Sequence, residues 1–340
     1  MKKVKYYFKV LLKMDFKELF KTVSKVHKRS GKSRIYIFFD IIKCSIKFLA
    51  GYTDYFLFGF EDLTDKERST YITRGVNNNY LRTLNNPNYY KYFSNKLLFN
   101  EKFKKFLGRD YLDLSVASLK KFEEFAKKHK VFMAKPVGLS GGYGILKVVI
   151  EDNTNISNLY NELKKDGKTL VEEYIRQHSK MNELCPTSVN TLRIVTIRKN
   201  NKTHIMMRVI RIGNGINPVD NFHSGGMYAY FDESGKIIND AMDREGRLFK
   251  VHPTTKVPFV GFQIPYYKEA IEMCIEASKV IPEVAFVGFD IAISENGPVI
   301  VEGNELPGYD VYQSRIHNKD NRNGLKPYFD KVVYGSEEDE

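Results

Sequence analysis

The sequence predicts an α+β fold preceded by a helical N-terminal region, and two observations lead to this class. Residues 1–60 carry apolar side chains at helical spacing together with 14 Lys and Arg against 4 Asp and Glu, whereas the chain beyond residue 86 alternates between helical and strand patterns. With 340 residues, 42% of them hydrophobic and 28% charged, the chain is long enough for about two domains and a large buried core. This composition excludes a disordered or fibrous protein.

The cysteine pattern and the distribution of apolar residues indicate the cellular compartment in which the protein is expected. Cys44, Cys185 and Cys274 lie far apart and show no CxxC spacing, which argues against a disulfide framework and against a zinc site. The basic N-terminus is followed neither by an uninterrupted apolar stretch nor by a small-residue cleavage site, so we expect no secretory signal. Charged residues interrupt the most apolar region, residues 35–60, too often for a membrane span. We therefore expect a cytoplasmic protein.

Helices are predicted to dominate residues 1–75. Six apolar residues of this arm recur at spacings of three and four, which predicts an amphipathic helix with Lys43 and Lys47 on another face. They are Ile35, Phe38, Phe39, Ile42, Ile46 and Leu49. An asparagine-rich, turn-prone stretch follows, and we place a domain boundary near residue 86. The net charge of +10 over residues 1–60 suits nucleic acid, an anionic membrane face, an anionic substrate or merely a solvated helical face, and charge alone does not choose among these.

Helices and strands are predicted to alternate beyond this boundary. A glycine-rich turn between the first two strands makes them a hairpin, and residues 295–298 form a turn signal between the last two. The acidic tail, residues 335–340, is expected to fray. In order, the predicted elements are a helix over 115–130, strands over 131–134 and 145–150, a helix over 157–165, strands over 169–175, 191–198 and 204–212, a helix over 266–281, and strands over 286–293 and 299–304.

Three polar residues on the last two strands form the clearest candidate site. Glu302 and Asn304 share one strand face because residues two apart point the same way. A three-residue turn over 295–297 would place Asp290 directly opposite Glu302. Two carboxylates and a carboxamide suit Mg²⁺, and charges at the edge of otherwise apolar strands need a counter-ion. A salt-bridge or turn-capping role is the alternative.

A lysine and a glycine-rich loop form a second candidate feature. Lys135 ends a predicted strand, and an ammonium there can reach phosphate oxygens as a point charge. A glycine loop lets backbone N–H groups approach a polyphosphate without Cβ clashes. The pattern is neither GxxxxGK[ST] nor GxGxxG opening a helix, and an ordinary hairpin turn explains it equally well. The loop residues concerned are Ser140, Gly141, Gly142 and Gly144.

Two arginines on adjacent predicted strands form a third. Arg193 and Arg211 could clamp a transferring phosphoryl group through bidentate, charge-assisted hydrogen bonds. Either could instead pair with Asp220 or Glu302. The nearby segment over residues 219–226, which contains Asn221, ends in a pair of glycines.

Together these features resemble the ATP-grasp superfamily. The order of Lys135 with its glycine loop, a Glu-Glu-Tyr-Ile segment at 172–175, Asp290 and then residues 302–308 is similar to that of carboxylate-amine ligases such as D-alanine–D-alanine ligase. The chain is also similar to the glutamate ligases that modify ribosomal protein tails, in its two arginines and its Asn…Gly-Gly loop.

A further set of motifs resembles the sugar-transfer-associated ATP-grasp family, which is found with bacterial surface-polysaccharide genes. The resemblance covers roughly residues 90–330. This chain has Asn190-Thr191 where the glutamate ligases have an acidic residue just ahead of the first arginine. Residues 219–221 replace the Arg-x-Asn segment of those ligases, so a different acceptor is expected. The motifs are Gln177-His178, Asn190-Thr191-Leu192-Arg193, Arg211-Ile212-Gly213 and Asp220-Asn221-Phe222.

The resemblance implies an ATP-grasp fold, in which two α/β lobes grip ATP. It divides the chain into a basic helical region over 1–86, an ATP-grasp domain over 87–334 with a lid over about 110–175, and the tail over 335–340. It implies Lys96 and Lys135 as phosphate contacts. Residues bordering adenine and ribose would be Glu172, Glu173, Tyr174 and Ile175, and those holding one or two Mg²⁺ would be Asp290, Glu302 and Asn304.

The function that this resemblance implies is ATP- and Mg²⁺-dependent ligation of a carboxylate to an amine through an acyl phosphate. The substrate would be a sugar, a uronic acid, a lipid-linked saccharide or an amino acid in cell-surface polysaccharide biosynthesis. Arg193, Arg211 and Asn221 would be catalytic, and His178, His223 and His252 are further candidate bases. A small-molecule or sugar kinase is one alternative.

A non-enzymatic binder of membranes or nucleic acid is the other alternative, with the helical arm as its working part. Under the ligase hypothesis, residues 1–60 could dock on an anionic membrane surface or a lipid-linked saccharide, which would place a cytoplasmic enzyme at the inner membrane face. Nucleic acid is not an expected partner.

Overall fold

The computed structural model describes residues 15–138, 143–215, 225–317 and 322–335. The chain forms two compact units, one of Met1–Leu84 with Gly308–Glu340 and one of Asn85–Pro307. The first is helical, and the second contains two antiparallel sheets, which confirms the predicted α+β class. None of the helices within the described ranges is long and apolar enough to cross a bilayer.

From residue 15 to residue 84, the described part of the first unit contains five α-helices around an aromatic core. The Asp15 side chain caps the first helix by accepting hydrogen bonds from the backbone N–H groups of Lys17 and Glu18, and Gly31 ends it in the left-handed conformation. Tyr55 and Phe60 lie in the core. The helices are α1 (Phe16–Ser30), α2 (Arg34–Phe48), α3 (Tyr52–Phe58), α4 (Asp65–Arg68) and α5 (Arg74–Leu84).

Helix α2 is confirmed, but the face it buries is not the predicted one. Of the six residues in the predicted apolar stripe, Ile35, Phe39 and Ile46 are exposed. The residues that α2 packs into the core are Ile37, Ile41, Cys44 and Phe48. Because α2 has apolar residues on nearly every side, periodicity alone does not identify its core face.

A buried ion pair ties α2 to α4. The Arg68 guanidinium donates to both carboxylate oxygens of Asp40, at 2.9 and 2.6 Å, and the Tyr55 hydroxyl donates to Asp40 Oδ2 at 2.7 Å. Arg68 Nε also donates to the Phe60 carbonyl at 2.9 Å. Each polar group in this pocket is therefore paired, as buried charges require.

The second unit opens with three short helices, α6 (Lys91–Ser94), α7 (Lys96–Lys102) and α8 (Lys104–Leu107). The Asn95 side chain caps α7 by accepting from the N–H groups of Leu97 and Leu98. Phe103 stacks on Phe99 with ring centroids 4.3 Å apart and meets Phe289 of the larger sheet edge-on at 6.1 Å. These rings place Lys96, the first residue of α7, beside the sheet.

The smaller sheet has the strand order β1-β4-β2-β3, and all its pairs are antiparallel. The predicted hairpin is confirmed, since Phe132 of β2 pairs with Val148 of β3. Strand β1, which is only three residues long, was not predicted. The elements are β1 (Tyr111–Asp113), α9 (Leu119–Lys128), β2 (Val131–Lys135), β3 (Leu146–Val149), α10 (Ile156–Lys165) and β4 (Leu170–Glu173).

The larger sheet has seven antiparallel strands in the order β11-β10-β5-β6-β7-β8-β9. Its predicted strands are confirmed, and β7 to β9 extend it beyond the prediction. Helix α12 packs on the sheet through residues such as Ala270 and Cys274. The elements are α11 (Ser179–Leu184), β5 (Thr191–Lys199), β6 (Lys202–Ile212), β7 (Met227–Tyr230), β8 (Ala241–Asp243), β9 (Leu248–Phe249), α12 (Tyr267–Ala277), β10 (Phe286–Ser294) and β11 (Gly297–Asn304).

The hairpin of β10 and β11 reaches the predicted register by a different route. Asp290 pairs with Glu302 as predicted. The turn, however, contains only two residues, because Ser294 already pairs with Gly297, and a bulge between Asp290 and Ile291 supplies the extra residue. The prediction of a three-residue turn is therefore wrong, while the pairing that it was meant to give is right.

The C-terminal segment belongs to the helical unit, and its last described helix is α13 (Lys326–Tyr334). Residues 336–340 of the predicted acidic tail lie outside the described residues. The Gln313 side chain accepts from the Ile72 N–H group at 2.9 Å and donates to the Ile72 carbonyl at 3.1 Å. The Tyr309 hydroxyl donates to Asp54 Oδ1 at 2.7 Å. These bonds fix residues 308–317 against the helices of the first unit.

Candidate functional site

Asp290 lies on β10, the second strand from one edge of the larger sheet, and two arginines bind its carboxylate. Strand pairing sets Asp290 of β10 opposite Arg193 of β5, and Arg211 stands on the next strand, β6. Arg193 donates to both carboxylate oxygens, through Nε to Oδ1 and through Nη2 to Oδ2 at 2.7 Å. Arg211 Nη1 donates to Oδ2 at 2.8 Å. The structure thus brings together three residues that the sequence predicted for the site.

Charge pairing dominates the titration of Asp290. Burial alone would raise its pKa, but Arg193 and Arg211 outweigh burial and hold the pKa at about 2. Asp290 is therefore a carboxylate at neutral pH. It binds the buried guanidinium of Arg193 and the partly exposed guanidinium of Arg211, and a guanidinium that solvent can reach suits an anionic group such as a phosphoryl.

Glu302 lies opposite Asp290 on β11, so two carboxyl groups face each other on neighbouring strands. Burial raises the pKa of Glu302, and the Asp290 carboxylate raises it further. Two residues on, the side-chain Nδ2 atom of Asn304 is buried without a hydrogen-bond partner. The site therefore holds one carboxyl group whose charged form burial disfavours and one carboxamide whose nitrogen has no hydrogen-bond partner.

Gly303 allows the strand to run this close to the helices. A Cβ atom there would stand 2.9 Å from ring atoms of both Phe93 and Phe99, closer than real Cβ atoms come. Only glycine fits between Glu302 and Asn304 without moving the two rings. The close approach brings the backbone of β11 next to α7, the helix that Lys96 begins.

A second buried network joins the smaller sheet to β11. Glu172 of β4 accepts hydrogen bonds from Lys135, from Asn100 Nδ2 at 2.7 Å and from Arg109 Nη2 at 3.0 Å. Arg109 also donates to the carbonyls of Ile300 at 2.6 Å and Val301 at 3.2 Å, which are two residues and one residue before Glu302. Burial would raise the pKa of Glu172, but the cations and the amide lower it well below its usual range.

Lys96 connects the two clusters electrostatically. Burial lowers the pKa of Lys96, the nearby Lys135 ammonium lowers it further, and the carboxyl groups of Glu302 and Glu172 oppose both. Its backbone N–H donates to the Val137 carbonyl at 3.3 Å, just beyond Lys135. Lys96, Lys135, Glu172 and Glu302, all predicted as site residues, therefore lie within one electrostatic neighbourhood.

The remaining predicted nucleotide residues that the structure describes lie at the end of β4, directly after β4 and just before β3. The Lys147 ammonium lies over the Tyr174 ring, 4.2 Å from its centroid. Glu173 accepts from the Asp110 N–H group at 3.1 Å. Ile175 is half-buried, and Gly144 has a φ of +73°, which favours glycine. Ser140, Gly141, Gly142 and Asn221 lie outside the described residues.

Two of the candidate histidines have structural partners. His252 is fully buried, its Nε2 lies 2.8 Å from the Gly213 carbonyl, and its Nδ1 lies 3.1 Å from the Thr254 hydroxyl. His178 caps α11 by accepting from the Lys180 N–H group at 3.0 Å. His223 lies outside the described residues. The described contacts give His178 and His252 roles in local structure rather than in proton transfer.

Sequence reasoning missed Arg109 and Asn100, which complete the Glu172 network. Arg109 stands just before the short strand β1, and no motif marks it in the sequence. It also missed an Asp110, His129 and Glu173 cluster whose ligand atoms lie within 4.8 Å of one another. His129 Nε2 is 2.8 Å from Asp110 Oδ2, and Lys128 pairs with the same carboxylate at 2.5 Å, so these contacts explain the cluster without a metal.

The residues at the end of β11 fit a divalent cation. A cation between Glu302 and Asn304 would neutralise the carboxyl group whose pKa is raised, and it would occupy the partnerless side of the Asn304 amide once oxygen and nitrogen exchange places. Asp290 fits the same ion only on an oxygen that one of its arginines releases, because both oxygens are engaged.

Comparisons with known proteins give one family and a set of distant structures. A family model described as sugar-transfer associated ATP-grasp matches residues 75–325. No curated protein matches the sequence. Similar solved structures include D-alanine-D-alanine ligase from Helicobacter pylori, with 14% identity, 65% of this chain and 56% of that chain covered and a TM-score of 0.40. N5-carboxyaminoimidazole ribonucleotide synthetase from Thermotoga maritima has 14% identity, 64% and 43% coverage and a TM-score of 0.38.

A third similar structure is the ATP-grasp ligase PsnB complexed with precursor peptide PsnA2 and AMPPNP, with 11% identity, 74% of this chain and 62% of that chain covered and a TM-score of 0.42. The chain therefore spans between 43% and 62% of the length of these three proteins. At this level of similarity the three structures say nothing about the substrate of this chain.

Proposed function

The chain belongs to the sugar-transfer-associated ATP-grasp family, and on that premise we propose that it is an ATP- and Mg²⁺-dependent ligase that joins a carboxylate to an amine through an acyl phosphate. One observation carries the proposal. Arg193, Arg211 and Asp290 meet on one side of the larger sheet, beside Glu302. The charges of Glu302 and Lys135 both act on the pKa of Lys96. Cations for phosphates and oxygen ligands for a metal thus stand next to each other.

Phosphate binding is assigned to Lys96 and Lys135. Lys135 is held by Glu172, whose charge is shared with Arg109, so the ammonium is fixed in direction without being fully neutralised. Burial, which lowers the pKa of Lys96, favours a partner that restores its charge, and a polyphosphate does so. Residues Glu173 to Ile175, with the loop over 140–144, would border the rest of the nucleotide.

Mg²⁺ would be held by Glu302 and Asn304, with Asp290 as the third predicted ligand. When bound, the ion would neutralise the nucleotide phosphates and keep the transferring group in line. Asp290 also holds Arg193 and Arg211 in place through three hydrogen bonds. This arrangement keeps both guanidiniums directed at Asp290, next to Glu302 on the neighbouring strand, before any substrate binds.

The reaction needs positioning and charge neutralisation more than it needs a protein nucleophile. A substrate carboxylate attacks the γ-phosphorus of ATP, the bond to the β-phosphate oxygen breaks, and ADP leaves. Arg211 and Arg193 would stabilise the negative charge on the phosphoryl oxygens. An amine then attacks the acyl carbon, phosphate leaves with the bonding electron pair, and this phosphate takes up the proton that the amine loses as the amide forms.

The acceptor is assigned by family alone to a sugar, a uronic acid, a lipid-linked saccharide or an amino acid in cell-surface polysaccharide biosynthesis. Asn221 and its loop stay predicted acceptor contacts. A kinase would need a base for an acceptor hydroxyl, and the ring nitrogens of His252 are already engaged by Gly213 and Thr254. An ionised carboxylate needs no such base, which favours the ligase reaction over the kinase alternative.

Hydroxylamine trapping tests the proposal. The protein is incubated with Mg-ATP, a metabolite extract and hydroxylamine, which converts an acyl phosphate into a hydroxamate. We expect a hydroxamate that requires both ATP and Glu302, with Glu302→Gln as the control. A phosphorylated metabolite that hydroxylamine leaves intact would instead establish the kinase reaction.

A further inference from the structure

Helices α1 and α2 expose large apolar side chains that the helical core leaves uncovered. Phe16 and Phe20 on α1 are 50% and 57% exposed, and Ile35, Phe39 and Ile46 on α2 are 71%, 63% and 49% exposed. The three α2 residues recur at intervals of four and seven, so they form a stripe about 16 Å long on one side of the helix. Monomeric proteins rarely expose contiguous apolar surface of this kind unless it binds something.

Aromatic contacts join the two helices into one surface. The Phe20 ring stacks on Phe38 with centroids 5.9 Å apart, and Phe38 meets Phe39 edge-on at 5.5 Å. The opposite side of α2 is committed to the core through residues such as Ile37 and Cys44. The stripe therefore cannot turn inward. We call Phe16, Phe20, Ile35, Phe39 and Ile46 the apolar face.

Positive charge accompanies the apolar face. Helix α1 carries five Lys and Arg and a single acidic residue, Glu18, which Lys21 contacts at 3.0 Å. Lys17 and Lys28 are exposed on the same helix. On α2, by contrast, Lys43 and Lys47 both pair with Asp65, at 3.0 and 2.8 Å. Arg29 of α1 pairs with Glu61 at 2.7 Å. The described positive charges near the apolar face without an acidic partner therefore include Lys17 and Lys28 on α1 and Arg34 at the start of α2.

We propose that the apolar face, together with the lysines of α1, docks on the surface of an anionic lipid bilayer. A partner for this surface must provide an apolar layer for the exposed side chains and negative charge for the lysines. The interface of a bilayer with anionic headgroups provides both. Residues 1–14 of the chain carry five lysines and no acidic residue, so they do not supply the missing negative charge. With its inner side packed in the core, α2 would lie in the plane of the interface.

The docking surface does not depend on the reaction proposed above, but the two fit together. A protein held at a bilayer meets a lipid-linked substrate in two dimensions rather than three. All residues that carry the inference belong to α1 and α2, whereas the residues of the candidate site belong to the second unit. Variants of one can therefore be tested without altering the other.

Vesicle flotation with the full chain tests the inference. Phosphatidylcholine vesicles that contain or lack phosphatidylglycerol are mixed with the wild type, with Phe20→Ser/Phe39→Ser and with Lys17→Gln/Lys28→Gln. We expect the wild type to float only with the anionic vesicles. Removing the two aromatic rings should weaken partitioning at least about tenfold, and each lysine removed should weaken it about fivefold.

Matched controls separate surface docking from misfolding and from catalysis. Val116→Ser/Val260→Ser removes two exposed apolar residues elsewhere and should float like the wild type. All variants keep residues 1–14 and should bind a Mg-ATP analogue in solution with unchanged affinity. The inference is overturned if the wild type fails to float, which would favour an acidic protein partner. It is equally overturned if the aromatic variant floats normally, or if anionic lipid makes no difference.

Discussion

Replacing Arg109 by methionine should destabilise the second unit and weaken nucleotide binding together. Arg109 and Glu172 are both buried, and methionine would leave the Glu172 carboxylate with Lys135 and Asn100 alone. It would also remove the hydrogen bonds that Arg109 donates to the carbonyls of Ile300 and Val301. Breaking a buried ion pair from one side costs about 3–5 kcal/mol. In a unit of this size, that corresponds to a fall of about 10 °C in melting temperature.

Nucleotide affinity should fall because the Glu172 charge would then bear on Lys135 alone and draw its ammonium away from the phosphates. We expect about tenfold weaker binding of a Mg-ATP analogue, equivalent to about 1.4 kcal/mol. Calorimetry would measure both quantities. Arg109→Lys, which keeps the charge but cannot reach every acceptor, should give intermediate losses.

Arg82 is exposed on α5 and provides a matched control. Arg82→Met should change the free energy of unfolding by less than about 0.5 kcal/mol and leave nucleotide binding intact. An Arg109→Met protein with the melting temperature and nucleotide affinity of the wild type would refute the role given to the buried network.

Three further predictions concern other buried charges. Glu302→Gln combined with Asn304→Ala should abolish turnover without lowering the melting temperature. Burial raises the pKa of Glu302, so the charged carboxylate is unfavourable in the folded state and its removal should not destabilise the fold. Near-normal ADP formation by this variant would contradict the metal assignment. The folded state lowers the pKa of Glu172, so its contribution to stability is present above pH 4.5, the ordinary pKa of the group, and is lost as pH falls below that value. Acid titration of the unfolding free energy should therefore show a shallower loss for Glu172→Gln than for the wild type, and equal slopes would count against this linkage. Asp40→Ala should destabilise the first unit by about 3 kcal/mol in urea denaturation, because it strands the Arg68 guanidinium. Adding Arg68→Met to that variant should restore part of the loss.

The sequence predicted the pairing at the site better than the details that produce it. Asp290 and Glu302 lie opposite each other because the two-residue turn and the bulge together give the same register as the predicted three-residue turn. The turn signal is visible in the sequence. The bulge is not, since it depends on how β11 fits against neighbouring strands and helices. Arg193 and Arg211 were placed on adjacent strands correctly, but their common partner, Asp290, follows from a three-dimensional register that no local pattern specifies.

Long-range packing accounts for the features that sequence reasoning missed. Helix α2 is apolar on several sides, so the choice of Ile37 rather than Ile35 for the core depends on where its neighbours lie. Arg109 contacts carbonyls about 190 residues further along the chain, and backbone acceptors have no sequence signature. Gln313 likewise meets the backbone of Ile72.

The most direct test of the central claim is untargeted mass spectrometry of a metabolite and glycan extract incubated with the protein and Mg-ATP, with the Glu302→Gln variant as control. The account predicts a product equal in mass to two metabolites minus water, formed together with ADP and phosphate by the wild type alone. A product that is a single metabolite carrying an added phosphoryl group, or one that the Glu302→Gln variant forms equally well, would contradict it.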